Sequence, residues 1–405
     1  MIKIKGKYLT TLLLCLTVSV LTMGAVLSYN VSMPKGTKTL SLPTDMNADY
    51  GMQLSNPTVT KIRTLEGMEG SIEGCLGNKI VFFASGKDIE TGVSNGTALY
   101  NIDSGDRNLI YAGNKIMKSS STLGMSSISP DKTKIILNDG NLWNSGEPLG
   151  VYVYDVNNEN IVKSADISKE FTIFMDRTLS AGKSMSYRAY NGSGWSVDSE
   201  RVVYCITNKD EKIIDFFIYN IKADSTEKYT LINSQYNFFT ISMPKLSGDG
   251  RYIYFTGQCD NSPSVLSLYR IDLTMKEKKA EWLTDHTDYY HLSNDGRGIV
   301  FIGPKRNIYL FDTLTKEQKV IIENQTRLFD ISADGNKIVY TVDDNDSIDV
   351  RIAYFKNSGI SNSTTIYRAG LNEYIASAFW NQDGSKIIVP SDHGKIYIIE
   401  LGYGD

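Results

Sequence analysis

The sequence predicts an all-β protein, a seven-bladed β-propeller of four-stranded antiparallel blades, and three observations lead to this prediction. A phrase of the type LSNDGRGIVFIG, centred on a tight turn, occurs seven times along the 405 residues. Each copy is followed by further short strand patterns, so that a complete unit contains four strands. A strand-like segment at 59–66 stands before the first copy and can supply the strand that the last copy lacks. Rings of six or eight blades are the alternatives.

The N-terminal segment, residues 1–28, has the pattern of a secretory signal peptide or of a signal anchor. Three lysines precede the largely apolar run 9–27, and polar sequence follows from Tyr29 onward. Val26 and Ser28 place small residues where a signal peptidase would need them for cleavage after Ser28. Both alternatives predict an extracytoplasmic protein, either secreted or held at the cell surface or membrane.

Two further segments follow the N-terminal one. Residues 29–57 read as a polar tether, and residues 58–405 read as one propeller domain. Contact with a membrane is expected only through residues 9–27, if that segment stays uncleaved. We expect the protein to be a monomer.

The charge of the chain argues against nucleic acid as a partner. The formal net charge is −4, and it falls to about −7 if Lys3, Lys5 and Lys7 leave with the signal segment. No dense basic run follows residue 7, whereas nucleic-acid binding requires a basic patch or stripe. Three cysteines remain outside the N-terminal segment, too few for a disulfide framework, and we expect buried thiols.

The repeated phrase predicts the first two strands of each blade and the turn between them. An Asp at the turn can bond its own backbone, and a following Gly accepts the positive φ that such turns require. The spacing between successive turn positions runs from 39 to 67 residues. We expect these side chains to stabilise turns rather than to form a ring of calcium ligands. The turn positions are Asn78, Asp131, Asp198, Asp249, Asp295, Asp334 and Asp383.

Alternating apolar and polar residues after each copy of the phrase predict the third and fourth strands of each blade. Fourth strands are more polar, for example QKVIIEN (318–324) and TTIYRAG (364–370). The last unit ends after its third strand, and segment 59–66 resembles a fourth strand without a unit. Pairing of 59–66 with 395–401 would close the ring and remove two open sheet edges. The predicted third strands are 98–103, 150–156, 215–222, 267–273, 307–313, 350–356 and 395–401.

The phrase S-x-D-G-x-x-I-x-[FY], followed by a strand ending Y-x-[ILF]-[DN], resembles the repeat of TolB-type propellers, which are related to the WD-repeat superfamily. The resemblance covers residues 59–402 and implies a propeller fold. Two departures limit what it implies about function. TolB proteins carry an α/β domain before the ring, which the short tether at 29–57 cannot supply. Related peptidases carry a hydrolase domain, and no such sequence follows residue 405. Neither the partner of TolB nor a peptidase activity can therefore be carried over.

The sequence offers one region as a candidate partner-binding site. The largest spacing reflects extra sequence at 167–195, between the second and third units, and propellers usually bind through loops and the channel mouth. The alternative is a surface excursion without a binding role. The candidate residues are Phe171, Phe174, Met175, Arg177, Met185, Tyr187, Arg188, Tyr190 and Trp195, together with His291 on the channel-facing strand of blade 5.

No cofactor is predicted. The acidic run VDDNDSID (342–349) could form a calcium loop through Asp343, Asp344, Asp346 and Asp349, but a solvated hairpin tip is the favoured interpretation. Only three histidines occur, too few for the metal sites of propeller lyases. No G-x-S-x-G or P-loop pattern is present.

We therefore predict an exported, non-catalytic propeller that acts as a binding scaffold for a protein or a cell-envelope polymer. The first alternative is a polysaccharide lyase or hydrolase with its active site in the channel. The second is a membrane-anchored component of an envelope complex, held by residues 9–27.

Overall fold

The computed structural model of the protein describes most of the chain from residue 57 onward. The described residues are 57–67, 70–85, 95–112, 115–119, 127–139, 150–166, 188–208, 213–232, 236–293, 296–323, 328–344, 347–356, 359–361, 363–370, 373–375 and 377–403. The predicted signal segment 1–28 and most of the predicted tether lie outside them.

Seven antiparallel sheets form a β-propeller, as the repeat predicts. The first strand, β1 (Thr58–Leu65), belongs to the last blade. From the channel outward, blade 1 consists of β2 (Ser71–Leu76), β3 (Lys79–Ser85), β4 (Asn95–Asn101) and β5 (Arg107–Leu109). Blade 2 consists of β6 (Tyr111–Ala112), β7 (Lys115–Ser119), β8 (Lys134–Asp139), β9 (Gly150–Asp155) and β10 (Asn160–Asp166). Blade 3 consists of β11 (Arg188–Trp195), β12 (Arg201–Asn208), β13 (Ile213–Asn220) and β14 (Ser225–Ile232).

Blades 4 to 7 repeat this order. Blade 4 consists of β15 (Phe238–Leu246), β16 (Tyr252–Cys259), β17 (Ser262–Asp272) and β18 (Ala280–Thr284). Blade 5 consists of β19 (Tyr289–Leu292), β20 (Gly298–Ile302), β21 (Ile308–Asp312) and β22 (Gln318–Ile322). Blade 6 consists of β23 (Phe329–Ile331), β24 (Lys337–Asp344), β25 (Ser347–Lys356), the short β26 (Gly359–Ile360) and β27 (Thr364–Ala369). Blade 7 consists of β28 (Phe379–Trp380), β29 (Lys386–Pro390), β30 (Ile396–Gly402) and β1. Within the described ranges, two 3₁₀ turns occur at Pro304–Arg306 and Asp392–Gly394.

The ring closes as predicted, because the first strand pairs with the last. β1 runs antiparallel to β30, from Thr58 opposite Gly402 to Leu65 opposite Ile396. The Thr58 hydroxyl donates to the Gly402 carbonyl at 3.2 Å, and Arg63 Nε lies 3.0 Å from Glu400 Oε1. This pairing completes blade 7 and establishes seven blades rather than six or eight.

The core lies between the blades, and the inner strands of a blade pack against both neighbouring blades. In blade 1, Leu76 and Val81 pack against blade 2, whereas Cys75 and Ile80 pack against blade 7. Strands that are buried on both faces require continuous apolar runs, which explains sequences such as IVFF. Aromatic side chains fill several of these interfaces between blades. Trp195, Tyr290, Phe329, Phe379 and Trp380 are all buried.

The repeated Asp residues stabilise turns, as the sequence predicts. The Ser247 hydroxyl donates to Asp249 Oδ1 at 2.5 Å, and the same carboxyl oxygen accepts from the Arg251 amide at 2.9 Å. Ser247 Oγ then accepts from the Tyr252 amide at 2.9 Å. Gly250 follows with a φ of +74°. Equivalent side-chain pairs form at Ser129–Asp131, Ser196–Asp198, Ser332–Asp334 and Asn381–Asp383. Asp295 lies outside the described residues.

The two faces of the ring carry different connections. Turns between first and second strands and turns between third and fourth strands meet on one face, which we call the turn face. The Leu273 amide, after β17, donates to the Arg251 carbonyl before β16 at 2.8 Å, which demonstrates this neighbourhood in blade 4. The strand ends Asp166 and Arg188, which flank the long insertion, both lie on the opposite face by the registers of blades 2 and 3.

Candidate functional site: the channel at the turn face

The structure separates the sequence-predicted candidates into three groups. Residues 171, 174, 175, 177, 185 and 187 lie outside the described residues. Arg188 and Tyr190 lie on β11, and only their backbone is described. Trp195 and His291 both line a cavity in the central channel. Among the described candidate side chains, the structure brings together Trp195 and His291, and the rest of the predicted partner site stays a prediction.

The cavity lies where the first strands of the blades approach their turns. It encloses roughly 640 Å³, counting space open to solvent. Apolar side chains form much of the wall, and a few charged or polar groups converge among them, which is the usual character of ligand sites. The apolar and aromatic lining includes Cys75, Ile128, Pro130, Trp195, Val197, Leu292, Ile331 and Phe379. The charged and titratable lining consists of Glu73, Lys132, Lys245, His291 and Asp330.

An ion pair crosses the channel between blade 2 and blade 6. Lys132 Nζ lies 2.7 Å from Asp330 Oδ2, and both side chains are almost fully buried. The same Asp330 oxygen accepts from the Trp380 amide of blade 7 at 2.9 Å. One carboxylate therefore joins three blades. Lys132 occupies the turn position at which blades 4 to 7 have Gly, and its φ is +57°.

A second lysine faces the cavity without a carboxylate partner. Lys245 on β15 is partly buried, and its Nζ donates to the Tyr290 carbonyl at 2.6 Å. The ammonium also lies 4.8 Å from the Tyr290 ring centroid and 5.5 Å from that of Tyr289. Within the described part of the chain, no carboxylate oxygen lies within ion-pairing distance of it. Burial lowers the pKa of Lys245 to about 7, and the more distant charge of Asp330 offsets this only in part.

His291 lies beside this lysine on the neighbouring blade. Its Nε2 and the Tyr289 hydroxyl are 2.7 Å apart, and its ring contacts Phe329 with centroids 5.7 Å apart. Burial, followed by the positive charges of Lys245 and Lys132, holds the pKa of His291 well below its usual value. The imidazole is therefore neutral near pH 7, and Lys245 carries the adjustable charge in this part of the wall.

Sequence reasoning missed three of the charged residues that build this site. Lys132 lies in a degenerate turn phrase, PDKTK, where a lysine replaces the usual glycine. Asp330 lies between Phe329 and Ile331, so that a charge interrupts a buried strand. Both departures from the repeat are visible in the sequence and could have marked these two residues as site candidates. Lys245 offered none, because its position on β15 follows the strand pattern without an obvious break.

The acidic hairpin of blade 6 holds its one buried carboxylate with arginines. Asp349 Oδ1 accepts from Arg368 Nε at 2.7 Å, and Asp349 Oδ2 accepts from Arg351 at 2.8 Å. These partners lower the pKa of Asp349, Arg368 most strongly. Asp343 and Asp344 lie at the end of β24, and Asp346 lies outside the described residues. Asp349 is therefore committed to two guanidinium groups rather than available to calcium.

Further features of the described residues concern metals, thiols and membranes. No group of three or more His, Cys, Asp or Glu side chains in this part of the chain is arranged to hold a metal. Cys75, Cys205 and Cys259 are free and buried. None of the helical turns in the described ranges has the length and apolarity that a membrane crossing requires.

Comparisons with known proteins find similarity of fold. No protein-family model and no curated protein matches the sequence. A chain of the mitotic checkpoint complex crystal structure matches at 13% identity, over 93% of this chain and 98% of that one, with a TM-score of 0.46. TolB from Acinetobacter baumannii matches at 12% identity, over 82% of this chain and 66% of that one, with a TM-score of 0.41. The seven antiparallel sheets of the ring themselves establish the propeller fold.

Proposed function

We propose that the protein is a non-catalytic binding scaffold that engages a protein partner at the turn face of the ring. The observation that carries this proposal is the cavity at that face, where apolar walls surround a small number of charged groups. Such a lining suits recognition, because apolar surface supplies affinity and a few placed polar groups supply specificity.

Exposed apolar side chains support the same face. Met275 follows β17 in blade 4, and Leu314 follows β21 in blade 5, and their exposed fractions are 57% and 64%. Both belong to turns between third and fourth strands, on the same face as the cavity. Lys316 and Glu281 form an ion pair that links these two blades. A partner that covered the channel mouth could bury these side chains at the rim of the contact.

The scaffold is proposed to act outside the cytoplasm, on the strength of residues 1–28. Cleavage after Ser28 gives a mature protein that begins at Tyr29, whereas an uncleaved segment gives a membrane-anchored one. Mass spectrometry of the protein recovered from its own cells distinguishes the two. A mature N-terminus at Tyr29 supports release, an intact segment in the membrane fraction supports the anchored alternative, and intact protein in the cytoplasm contradicts export.

The binding role is tested by crosslinking the full chain in its own cells and identifying the captured protein. The variant M275S/L314S alters the turn face, and deletion of residues 168–187 removes the insertion whose flanking strand ends, Asp166 and Arg188, lie on the opposite face. We expect the first variant to lose the captured protein and the deletion to retain it. Loss in the deletion alone would assign binding to the insertion and contradict the turn-face proposal. A wild-type chain that captures nothing would contradict the scaffold itself.

A further inference from the structure

Lys245 has binding capacity that the protein does not use. An ammonium group has three donors, and among the described residues the one hydrogen bond of Lys245 goes to the Tyr290 carbonyl. Its other interactions are with the faces of two tyrosine rings, which attract a cation but leave its charge uncompensated. The side chain is partly buried in the cavity wall, so an incoming group can reach it.

The charges around the cavity limit what that incoming group can be. Glu73 on β2 also lines the cavity, and Asp330 is already bound by Lys132. His291 is neutral and Lys132 is paired with Asp330, so Lys245 is the lining cation that meets no carboxylate among the described residues. A dianion would therefore bring excess negative charge next to Glu73 and Asp330, whereas a monoanion adds a single charge beside Lys245.

The donor set also argues for a carboxylate rather than a phosphate. Tight phosphate sites usually combine several donors, such as the fork of an arginine or backbone amides at a helix N-terminus, and no arginine among the described residues lines this cavity. A lysine acts as a compact point charge, which suits a single carboxylate oxygen. The remaining wall, with Trp195, Ile331 and Phe379, suits an apolar body attached to that carboxylate.

From this arrangement we propose that the channel at the turn face binds a monocarboxylate with an apolar body, held through its carboxylate by Lys245. The carboxylate could belong to a small molecule or to the C-terminus of a protein chain, and both share this chemistry. This inference specifies a ligand for the proposed binding site. It depends on the proposed scaffold role only if the carboxylate is the C-terminus of a protein partner.

Binding should depend on pH in a defined direction. The carboxylate requires the charged form of Lys245, and burial holds the pKa of that lysine near 7 in the free protein. The groups that face it are Tyr289, Tyr290 and His291 of blade 5, with Asp330, Lys132 and Glu73 elsewhere around the cavity. Affinity should therefore fall as the pH rises above 7, by about tenfold per pH unit well above the pKa.

The test is calorimetric titration of the purified full-length chain with hexanoate and with hexanamide, a neutral molecule of similar size. We expect hexanoate to bind at pH 6 at least about tenfold more tightly than hexanamide, and to weaken by at least about tenfold between pH 6 and pH 8.5. The variant K245M should lose this preference. The matched variant K278M should keep it, because Lys278 caps the Leu273 carbonyl in a turn of the same blade, outside the cavity lining.

Several results would overturn the proposal. These are equal binding or no binding of the two probes, unchanged affinity across that pH range, or full hexanoate binding by folded K245M. If circular dichroism shows that K245M does not fold, the two wild-type measurements decide the question alone.

A tripeptide, acetyl-Gly-Leu-Phe, is compared with its C-terminal amide to identify whether the carboxylate belongs to a protein C-terminus or to a small molecule. Tighter binding of the free-acid peptide than of hexanoate indicates a protein C-terminus, and the reverse order indicates a small molecule.

Failure here is distinguishable from failure of the scaffold role. If neither carboxylate probe binds but crosslinking still captures a protein at the turn face, the carboxylate site is wrong and the scaffold stands. If hexanoate binds as expected but no protein is captured, the cavity serves a small molecule and the scaffold role is wrong.

Discussion

Two lysines face the same cavity, and they are held in opposite ways. Lys132 is almost fully buried and meets Asp330 at 2.7 Å, with the same carboxylate also fixed by the Trp380 amide. Lys245 is only partly buried and meets a carbonyl and two aromatic rings instead of a carboxylate. The first lysine has its charge neutralised inside the protein, and the second does not.

This difference shows how one residue type serves structure and binding within one channel. A buried charge without a partner costs folding free energy. Removal of a paired lysine is therefore destabilising, because it leaves the carboxylate buried without a counter-charge. A lysine at the cavity wall keeps access to solvent and can exchange water for a ligand. If Lys132 is a structural lysine and Lys245 a binding one, disruption of the Lys132 pair should cost the most stability, and disruption of an exposed ion pair should cost the least.

Removal of the carboxylate of the paired lysine should have the largest effect. D330N leaves Lys132 buried without its counter-charge, and we expect a loss of about 3–5 kcal/mol in the free energy of unfolding. Urea titration followed by tryptophan fluorescence measures it. A loss below about 1 kcal/mol would mean that Lys132 does not depend on Asp330.

The double variant K132M/D330N should recover a large part of that loss. Replacing both members of a buried ion pair removes the desolvation penalty together with the attraction, so the two substitutions should be coupled by about 2–3 kcal/mol. The free energies of unfolding of the wild type, both single variants and the double variant give the coupling energy. Simple additivity of the two single losses would contradict a direct pair.

The unpaired lysine should make stability rise with pH. The folded protein holds the pKa of Lys245 near 7, below the usual value of about 10.5, so between these values the unfolded chain binds more protons. Stability should therefore increase above pH 7 by on the order of 1–2 kcal/mol relative to K245M, and the difference should be constant below pH 7. Urea titrations of both proteins from pH 6 to pH 9.5 measure it, and parallel curves would contradict the prediction.

Disruption of the ion pair of a solvent-exposed lysine should have the smallest effect on the free energy of unfolding. Lys222 lies 3.9 Å from Glu200, and both side chains are well exposed. We expect E200Q to change the free energy of unfolding by less than about 0.5 kcal/mol, because water and salt screen such pairs. The same urea titration serves as the control for D330N. An effect as large as that of D330N would show that burial is not what separates these lysines.

Local sequence predicted the repeat because each blade is encoded by neighbouring residues. Ser247, Asp249 and Gly250 form their turn almost entirely among themselves, so the phrase carries the geometry with it. The closure of β1 on β30 was also predictable, although the partners are more than 300 residues apart. An unmatched strand at one end and an incomplete blade at the other leave two sheet edges with unpaired backbone N–H and C=O groups. Pairing of the two strands satisfies the hydrogen-bonding groups of both edges.

The sequence by itself therefore determined the blades, their number and the closure of the ring, since these depend on short-range patterns and on the pairing of strand edges. Only the tertiary structure decided the cavity and its charges. The Lys132–Asp330 pair spans 198 positions, and the contact between Lys245 and the Tyr290 carbonyl joins separate blades. Such contacts depend on which side chains the closed ring directs into the channel, and this geometry leaves no periodic signal in the chain.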